Sequence, residues 1–184
     1  IYVASHLLTN DPETLGKYRP FKFFIWAHIA GGMTALVTGP LLIWQPNRMA
    51  RLKLHRVLGY CYITGVAMGS GGAMVLVFTT TLEVGWSYTT SLHALGYTWL
   101  TSALIALFAA KRKQISLHRR WMTYSYIATV AFVLQATIYE TKFLDSYGSF
   151  AEVYPSVIWA SWVIPFVVYT QWNTVSKLLG LSNR

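Results

Sequence analysis

Charged residues are scarce in this chain, and cysteine is almost absent. Only 11% of its 184 residues are charged, whereas a soluble domain has about 25%. The single cysteine, Cys61, excludes a disulfide framework and a thiolate metal site, and within an apolar run it is expected to be a small buried hydrophobe. No Walker motif, dinucleotide-type GxGxxG or HExxH is present. With 54% hydrophobic residues and a mean hydropathy of +0.41, the composition favours a membrane protein.

Five apolar runs predict an all-α membrane protein, because about 20 apolar residues are enough to cross the hydrocarbon core. The predicted spans cover residues 21–44, 55–80, 91–110, 117–139 and 153–178. Residues 21–139 are expected to form a four-helix core, built from the repeats 21–80 and 91–139. Residues 1–20 are expected to be an external segment that begins with the end of a missing helix. Residues 140–152 then form an external loop, and residues 153–184 form a fifth, peripheral helix and a cytoplasmic tail.

The distribution of charge predicts the orientation in the membrane. Most of the basic residues fall in the turns around residues 45–56 and 111–120 and in the C-terminal tail, whereas all six acidic residues fall on the opposite side. The positive-inside rule then places the basic turns and the C-terminus in the cytoplasm of a bacterial cell. The net charge of +9 is interpreted as this topology signal and not as a nucleic-acid site. Membrane lipid is the expected partner.

One two-helix layout occurs twice in the chain. The segments are HIAGGMTALVTGPLLIWQPNRMARLKLHRVLGY, from His28, and HALGYTWLTSALIALFAAKRKQISLHRRWM, from His93. Each has a histidine early in an apolar run, then a basic turn, then a second histidine, His55 or His118, that is followed by arginine. Such self-similarity indicates two copies of one supersecondary unit.

The histidines form two pairs that are matched in depth. By the predicted topology, His28 and His93 lie toward the outer face, and His55 and His118 lie toward the cytoplasmic face. Imidazole is a common axial ligand of haem iron, and helix bundles often hold such sites. The pattern therefore predicts two b-type haems, each with two histidine ligands. Cations that would hold the haem propionates are Arg51, Lys53, Arg56, Arg119 and Arg120 at the cytoplasmic pair, and Arg19 and Lys22 at the outer pair.

Each ligand histidine needs an acceptor for its other ring nitrogen, and a backbone carbonyl one helical turn earlier is the expected acceptor. Met122 is an alternative axial ligand but is better interpreted as a packing residue. Trp26 and Trp99 are expected to pack in the core, and the alternative is that they line a cofactor. Glu140 and Asp145 are interpreted as parts of a solvated loop, and the alternatives are that they relay protons or hold a quinol at the outer face. His6 is interpreted as an interfacial side chain and not as a ligand.

Two other functions compete with electron transfer. In a haem-free accessory or structural subunit of a larger membrane complex, the histidines would be interfacial hydrogen-bonding groups and the glycines would serve helix packing. In a small transporter or channel, the histidines would act as a relay. The absence of an acidic residue from the predicted spans argues against that function.

The chain resembles a bacterial integral-membrane family that is known only as a domain of unknown function. The segments that carry the resemblance are HIAGGMTALVTGP, HRVLGYCYI, LHALGY and HRRWMTYSY. The resemblance covers residues 20–175, although Phe166 stands where that family would have asparagine. The histidine layout separately resembles cytochrome b561, whose four core helices hold two bis-histidine haems, although this chain shows five spans and not six. That resemblance implies the pairs His28–His93 and His55–His118. It also implies electron transfer between a quinol or small reductant and an acceptor, as in a cytochrome b-type oxidoreductase.

Overall fold

The fold was examined in a computed structural model that describes residues 16–44, 52–142, 144 and 146–180. Within these ranges the chain forms helices joined by short turns, with no β-strand. A 3-10 helix, Gly16–Phe21, lies at the end of the predicted external segment and leads directly into the first α-helix. The α-helices are α1 (Lys22–Ile43), α2 (Leu52–Thr80), α3 (Trp86–Lys111), α4 (Ile115–Glu140) and α5 (Phe150–Leu178). The predicted all-α fold is confirmed.

The helices agree with the predicted spans and extend beyond several of them. Helix α3 begins at Trp86 and α5 begins at Phe150, a few residues before the apolar runs themselves. Four segments are long and apolar enough to cross a membrane: Arg19–Ile43, Leu52–Thr80, Trp86–Lys111 and Phe150–Leu178. Helix α4 is not among them, because polar residues such as Ser125 and Gln135 lower its hydropathy. The protein is an all-α membrane protein that contacts lipid.

The chain divides into two compact units, residues 1–89 and 90–184. In the first unit, α1 and α2 are antiparallel and cross at small residues. A β-carbon added at Gly31 would lie 2.4 Å from the backbone nitrogen of Gly69, and one added at Gly65 would lie 2.8 Å from the carbonyl oxygen of Gly31. One added at Gly72 would lie 2.5 Å from the Phe24 carbonyl. The two backbones are therefore in direct contact, as small residues allow in membrane helices.

In the second unit, α3 and α4 pack through one large side chain and many small ones. Trp99 is 1% exposed, and its indole Nε1 donates a hydrogen bond of 2.8 Å to Oγ1 of Thr129. Its ring also contacts Phe132 at a centroid distance of 5.1 Å. The rest of the buried surface on the two helices is mostly small side chains: Ser102, Ala103, Ala106, Ala109, Ala128 and Ala131. The buried indole therefore fills a volume that the small residues leave open.

Aromatic and hydroxyl groups join α4 to α5 in an antiparallel pair. Tyr124, early in α4, hydrogen-bonds Thr170 at 2.7 Å and contacts the ring of Phe166 at 4.7 Å. At the other end, the Tyr154 hydroxyl donates to the backbone carbonyl of Gln135 at 3.1 Å. Helix α5 begins at a capping box in which the Glu152 carboxylate accepts hydrogen bonds from the Ser149 backbone N–H at 2.9 Å and from the Ser149 hydroxyl at 2.7 Å.

The turn between α3 and α4 contains a lysine in a conformation that usually belongs to glycine. Lys113 has φ of 60°. Its N–H donates to the carbonyl of Ala110, and the N–H of Gln114 donates to the carbonyl of Ala109. This is the Schellman pattern that ends many helices, and glycine is usual at its left-handed position because a β-carbon is strained there. The basic turn is therefore short and fixed by hydrogen bonds.

Two packing expectations are wrong. Cys61 is exposed on α2 and not buried, and Trp26 on α1 is 42% exposed and not packed in a core. The α1–α2 crossing is made at glycines, and the larger side chains that these two helices bury are Ile25, Leu42, Tyr62, Val66 and Val77. The expectation for Trp99 is confirmed.

Candidate functional site

The four predicted histidine ligands all lie near the beginnings of helices, and all four side chains are half-buried. His28 and His93 lie in the first two turns of α1 and α3, and His55 and His118 lie in the first turns of α2 and α4. His6 is outside the described residues. Each unit therefore holds two of the four histidines, one on each helix of a hairpin.

His28 is held by the neighbouring helix. Its Nδ1 is 2.8 Å from the backbone carbonyl oxygen of Gly69 on α2. A carbonyl oxygen only accepts hydrogen bonds, so Nδ1 carries the hydrogen and Nε2 carries the lone pair. The imidazole reaches this carbonyl because Gly69 and Gly72 have no side chains, and a β-carbon at Gly72 would lie 3.2 Å from the Cβ atom of His28. The glycine crossing thus sets both the position and the tautomer of this ring.

His118 is held in the same way in the second unit. Its Nδ1 is 2.9 Å from the backbone carbonyl oxygen of Ala106 on α3. Ala106 is fully buried, and its short side chain leaves the carbonyl accessible. The same reasoning assigns the hydrogen to Nδ1 and the lone pair to Nε2.

The other two histidines have a ring nitrogen buried in the protein. These atoms are Nδ1 of His55 and Nε2 of His93. Both residues also have other interactions, and the His93 ring stacks on Tyr97 with the centroids 6.1 Å apart and the planes 27° apart. Each of the four rings is therefore positioned by protein atoms around it.

The expected position of the hydrogen-bond acceptor is wrong, although its chemical type is confirmed. For His28 and His118 the acceptor is a backbone carbonyl on the partner helix of the hairpin, not a carbonyl one turn earlier on the same helix. The carbonyls that are accessible belong to Gly69 and Ala106, which are among the smallest residues at the two contacts.

The predicted propionate-binding cations lie at the surface near the histidines in the sequence. Lys22, Arg56, Arg119 and Arg120 are exposed, and Arg51 is outside the described residues. Arg56 and Arg119 directly follow His55 and His118, so each cation is on the same helical turn as its histidine. Met122 is half-buried one turn after His118. Exposed guanidinium groups at helix beginnings can bind anionic groups at the membrane surface.

Within the described ranges, no three His, Cys, Asp or Glu side chains come together as ligands for a bare metal ion. A haem iron takes only two axial ligands from the protein, so this observation does not bear on the haem prediction.

No residue pattern indicates the carbonyl acceptors or a pocket at the end of α4. This pocket is lined by Tyr139, Glu140, Lys142 and Phe150. Glu140 was one of the two acidic residues considered for a quinol, and the other, Asp145, is outside the described residues. A pocket of this kind depends on how α4 meets α5, which hydropathy does not reveal.

The fold and the histidines define a class: a helical membrane protein in which each of two compact units anchors one histidine to a main-chain carbonyl. The profile of a family described as "Predicted membrane protein (DUF2306)" matches residues 25–172. The chain belongs to this family, and the resemblance seen in HRRWM and the related words is confirmed. The match includes all four histidines discussed above. No curated protein and no solved structure matches the chain.

Proposed function

We propose that this protein transfers electrons across the membrane through b-type haems bound by its histidines. The observation that carries the proposal is the pair of hydrogen bonds from Nδ1 of His28 and Nδ1 of His118 to main-chain carbonyls. Metal-bound histidines commonly donate their other ring N–H to a carbonyl, which fixes the tautomer and makes the ligand nitrogen more basic. Both rings have the tautomer that iron coordination through Nε2 requires.

The proposed pairs combine the two kinds of histidine. With the pairing predicted from the sequence, His28 with His93 and His55 with His118, each pair has one ring that is bonded to a carbonyl and one ring with a buried nitrogen. Each pair would then have one ligand whose orientation is fixed by a helix backbone. This fits two haem sites of similar construction.

Haem, when bound, would supply the one-electron chemistry. The protein's own residues would orient the axial imidazoles, shield them in half-buried positions and neutralise the propionates. Arg56, Arg119 and Arg120 are suited to the last task at the beginnings of α2 and α4, and Lys22 is suited to it at the beginning of α1. Arg51, which is outside the described residues, is assigned to the same task from the sequence.

The charge distribution supports an orientation with the basic turns and the C-terminus in the cytoplasm of a bacterial cell. On this proposal, a quinol or another small reductant donates electrons at one face of the cytoplasmic membrane, and an acceptor receives them at the other. The activity is that of a cytochrome b-type oxidoreductase.

The second candidate function is a haem-free accessory or structural subunit of a larger membrane complex. It is favoured by the many large hydrophobic side chains that α5 exposes, which suit lipid or a neighbouring subunit: Ile164, Val167, Val168, Trp172, Val175 and Leu178. On this function, the histidine–carbonyl hydrogen bonds hold helices together and bind no cofactor.

A reduced-minus-oxidised absorption spectrum of the purified protein, with a pyridine haemochrome assay, distinguishes the two functions. We expect about two b-type haems per chain. His28→Ala should lower this to about one haem, because one axial ligand of one site is removed. Adding His93→Ala should cause no further loss, whereas adding His55→Ala should remove the second haem. This comparison of double variants tests the pairing itself.

If protein purified from haem-replete cells contains no haem, the electron-transfer proposal is wrong and the accessory subunit is favoured. If His28→Ala with His93→Ala removes both haems, the protein binds haem but the predicted pairing is wrong. Circular dichroism of each variant shows whether the helices are intact.

A further inference from the structure

One face of α3 is exposed along most of the helix. The buried side chains, from Leu95 to Ala109, lie on the opposite face, where α3 packs against α4. From Tyr97 to Phe108 the exposed face is about 16 Å long, which is roughly the thickness of one leaflet of the hydrocarbon core. The Thr101 hydroxyl donates to the Tyr97 carbonyl at 2.7 Å and is therefore satisfied within the helix. The exposed residues recur every three or four positions: Tyr97, Thr101, Leu104, Ile105, Phe108 and Lys111.

This exposed face ends in three consecutive cations. Lys111, Arg112 and Lys113 are all exposed, and they lie where the candidate membrane span Trp86–Lys111 ends. The Arg112 N–H donates to the Phe108 carbonyl at 3.0 Å, so the helical turn continues through Arg112. Residues four apart on a helix share a face, and Arg112 therefore follows Phe108 on the exposed side. The result is an apolar face with positive charge at the end that meets water.

No carboxylate is available nearby in the hairpin to neutralise these cations. The chain has no acidic residue between Glu83 and Glu140. Glu140 is the last residue of α4, about 38 Å along the helix axis from the turn that joins α3 to α4. That separation exceeds the distance of about 10 Å over which salt screens exposed charges. The positive charge of the turn is therefore available to an anion from outside the chain.

The turn holds its cations in a fixed backbone conformation. Lys113 has φ of 60°, and its N–H donates to the Ala110 carbonyl at 3.0 Å. The Gln114 N–H donates to the Ala109 carbonyl at 2.9 Å. An orientation signal requires only positive charge and no particular geometry. A turn that is already ordered loses less conformational entropy when it binds a ligand, which favours a defined binding site.

We propose that this face of α3 and the three cations bind one anionic phospholipid, with its phosphate at Arg112 and Lys113 and an acyl chain along Phe108. Arginine binds phosphate oxygens in a bidentate manner, and lysine adds a point charge. A zwitterionic head group is disfavoured, because its own cation would be repelled by the turn. The site uses none of the cations assigned to the haem propionates, so it is independent of the proposed function. In the orientation proposed above, the lipid belongs to the cytoplasmic leaflet.

Native mass spectrometry of the full-length protein tests this site without requiring haem. The protein is equilibrated in detergent micelles that contain equal amounts of phosphatidylglycerol and phosphatidylcholine. We expect phosphatidylglycerol to remain bound in preference to phosphatidylcholine, because only the former has a net negative charge. Equal occupancy by the two lipids would overturn the inference.

Replacing one cation of the turn tests the position of the phosphate. Lys113→Gln should weaken phosphatidylglycerol binding about fivefold, as expected for one cation near an anionic head group. Lys142→Gln is the matched control, because Lys142 is also exposed, has φ of 51° and lies at the other end of α4. It removes the same charge from the same backbone conformation and should leave binding unchanged. Equal losses in the two variants would mean that the lipid responds only to net charge, which contradicts a site at this turn.

Replacing an apolar residue tests the position of the acyl chain. Phe108→Ala should weaken phosphatidylglycerol binding about threefold, because it removes apolar surface that the chain would cover. Phe78→Ala is the matched control, since Phe78 on α2 is 62% exposed and Phe108 is 57% exposed. It should bind the lipid as the unchanged protein does.

Two further outcomes would overturn the inference. If Lys113→Gln weakens binding, Phe108→Ala does not, and inorganic phosphate displaces the lipid, the turn binds phosphate ions and not a phospholipid. If the cation variant loses haem but keeps its preference for phosphatidylglycerol, the turn serves the cofactor. Lipid preference that depends on both Lys113 and Phe108 supports the site, whether or not the protein contains haem.

Discussion

Each compact unit contains a pair of packed helices, but the residues at the helix contact differ in size between the two units. In the first unit, α1 and α2 meet backbone to backbone at Gly31, Gly65 and Gly69. In the second, α3 and α4 meet around the buried indole of Trp99 and its hydrogen bond to Thr129. The two histidine-containing layouts look alike in the sequence, yet one contact depends on missing side chains and the other on a large one. Similar sequence layouts therefore do not imply similar contacts.

The hydrogen bond from histidine to a backbone carbonyl runs in opposite directions between the two helices of each unit. In the first unit, the histidine on the leading helix, His28, bonds to the following helix. In the second unit, the histidine on the following helix, His118, bonds to the leading one. In the sequence repeat, His28 corresponds to His93 and His55 corresponds to His118. The two histidines that bond to carbonyls, His28 and His118, therefore occupy different positions of the repeat. The acceptors, Gly69 and Ala106, show that each bond forms where a small residue leaves a carbonyl accessible.

Removing the large side chain should have the largest effect on stability. Trp99→Ala should lower the free energy of unfolding by about 3 kcal/mol, because it leaves a cavity and removes the hydrogen bond that Trp99 donates to Thr129. The measurement is thermal or denaturant unfolding of the purified protein in detergent. Trp172→Ala is the control, since Trp172 is 66% exposed, and it should have little effect. Equal losses in both variants would contradict the central role given to Trp99.

Adding a small side chain should have the next largest effect, and only in the first unit. Gly31→Ala should lower the free energy of unfolding by about 2 kcal/mol, because its β-carbon would meet backbone atoms of α2. Gly32→Ala is the matched control, because no atom lies within 4 Å of an added β-carbon there. It should raise stability by about 0.8 kcal/mol through helix propensity. If the neighbouring glycines respond alike, the close backbone contact is wrong.

The smallest expected effect on stability concerns Lys113, in the turn between α3 and α4. Lys113→Gly should raise the melting temperature, because glycine adopts φ of 60° without the strain of about 1 kcal/mol that a β-carbon causes. Lys111→Gly, at the last residue of α3, serves as the control and should lower stability through helix propensity. A lower melting temperature for Lys113→Gly would mean that its side chain contributes more than its backbone costs.

The helices could be predicted because the apolar runs are long and the turns between them are polar. The ends could not, because α5 begins three residues before its apolar run through the Ser149–Glu152 capping box. Such boxes consist of polar residues, which hydropathy assigns to the loop. Cys61 and Trp26 were misplaced because an apolar residue in a membrane helix is equally stable against lipid and against protein.

The candidate site could be predicted only in part. The four histidines were recognisable from residue type and depth, since ionisable groups in apolar runs are few. Their acceptors were not recognisable, because the carbonyls of Gly69 and Ala106 are main-chain atoms of residues with no polar side chain.

Because His28 is oriented by a main-chain oxygen, no single side chain encodes its acceptor. Relatives in the family can then replace most of α2 and keep the same imidazole orientation, provided that residues at the crossing stay small enough for the helices to meet. A comparison of family sequences that looks for an acidic partner varying together with this histidine would find none. The informative signal in such a comparison is side-chain volume at positions 65, 69 and 72.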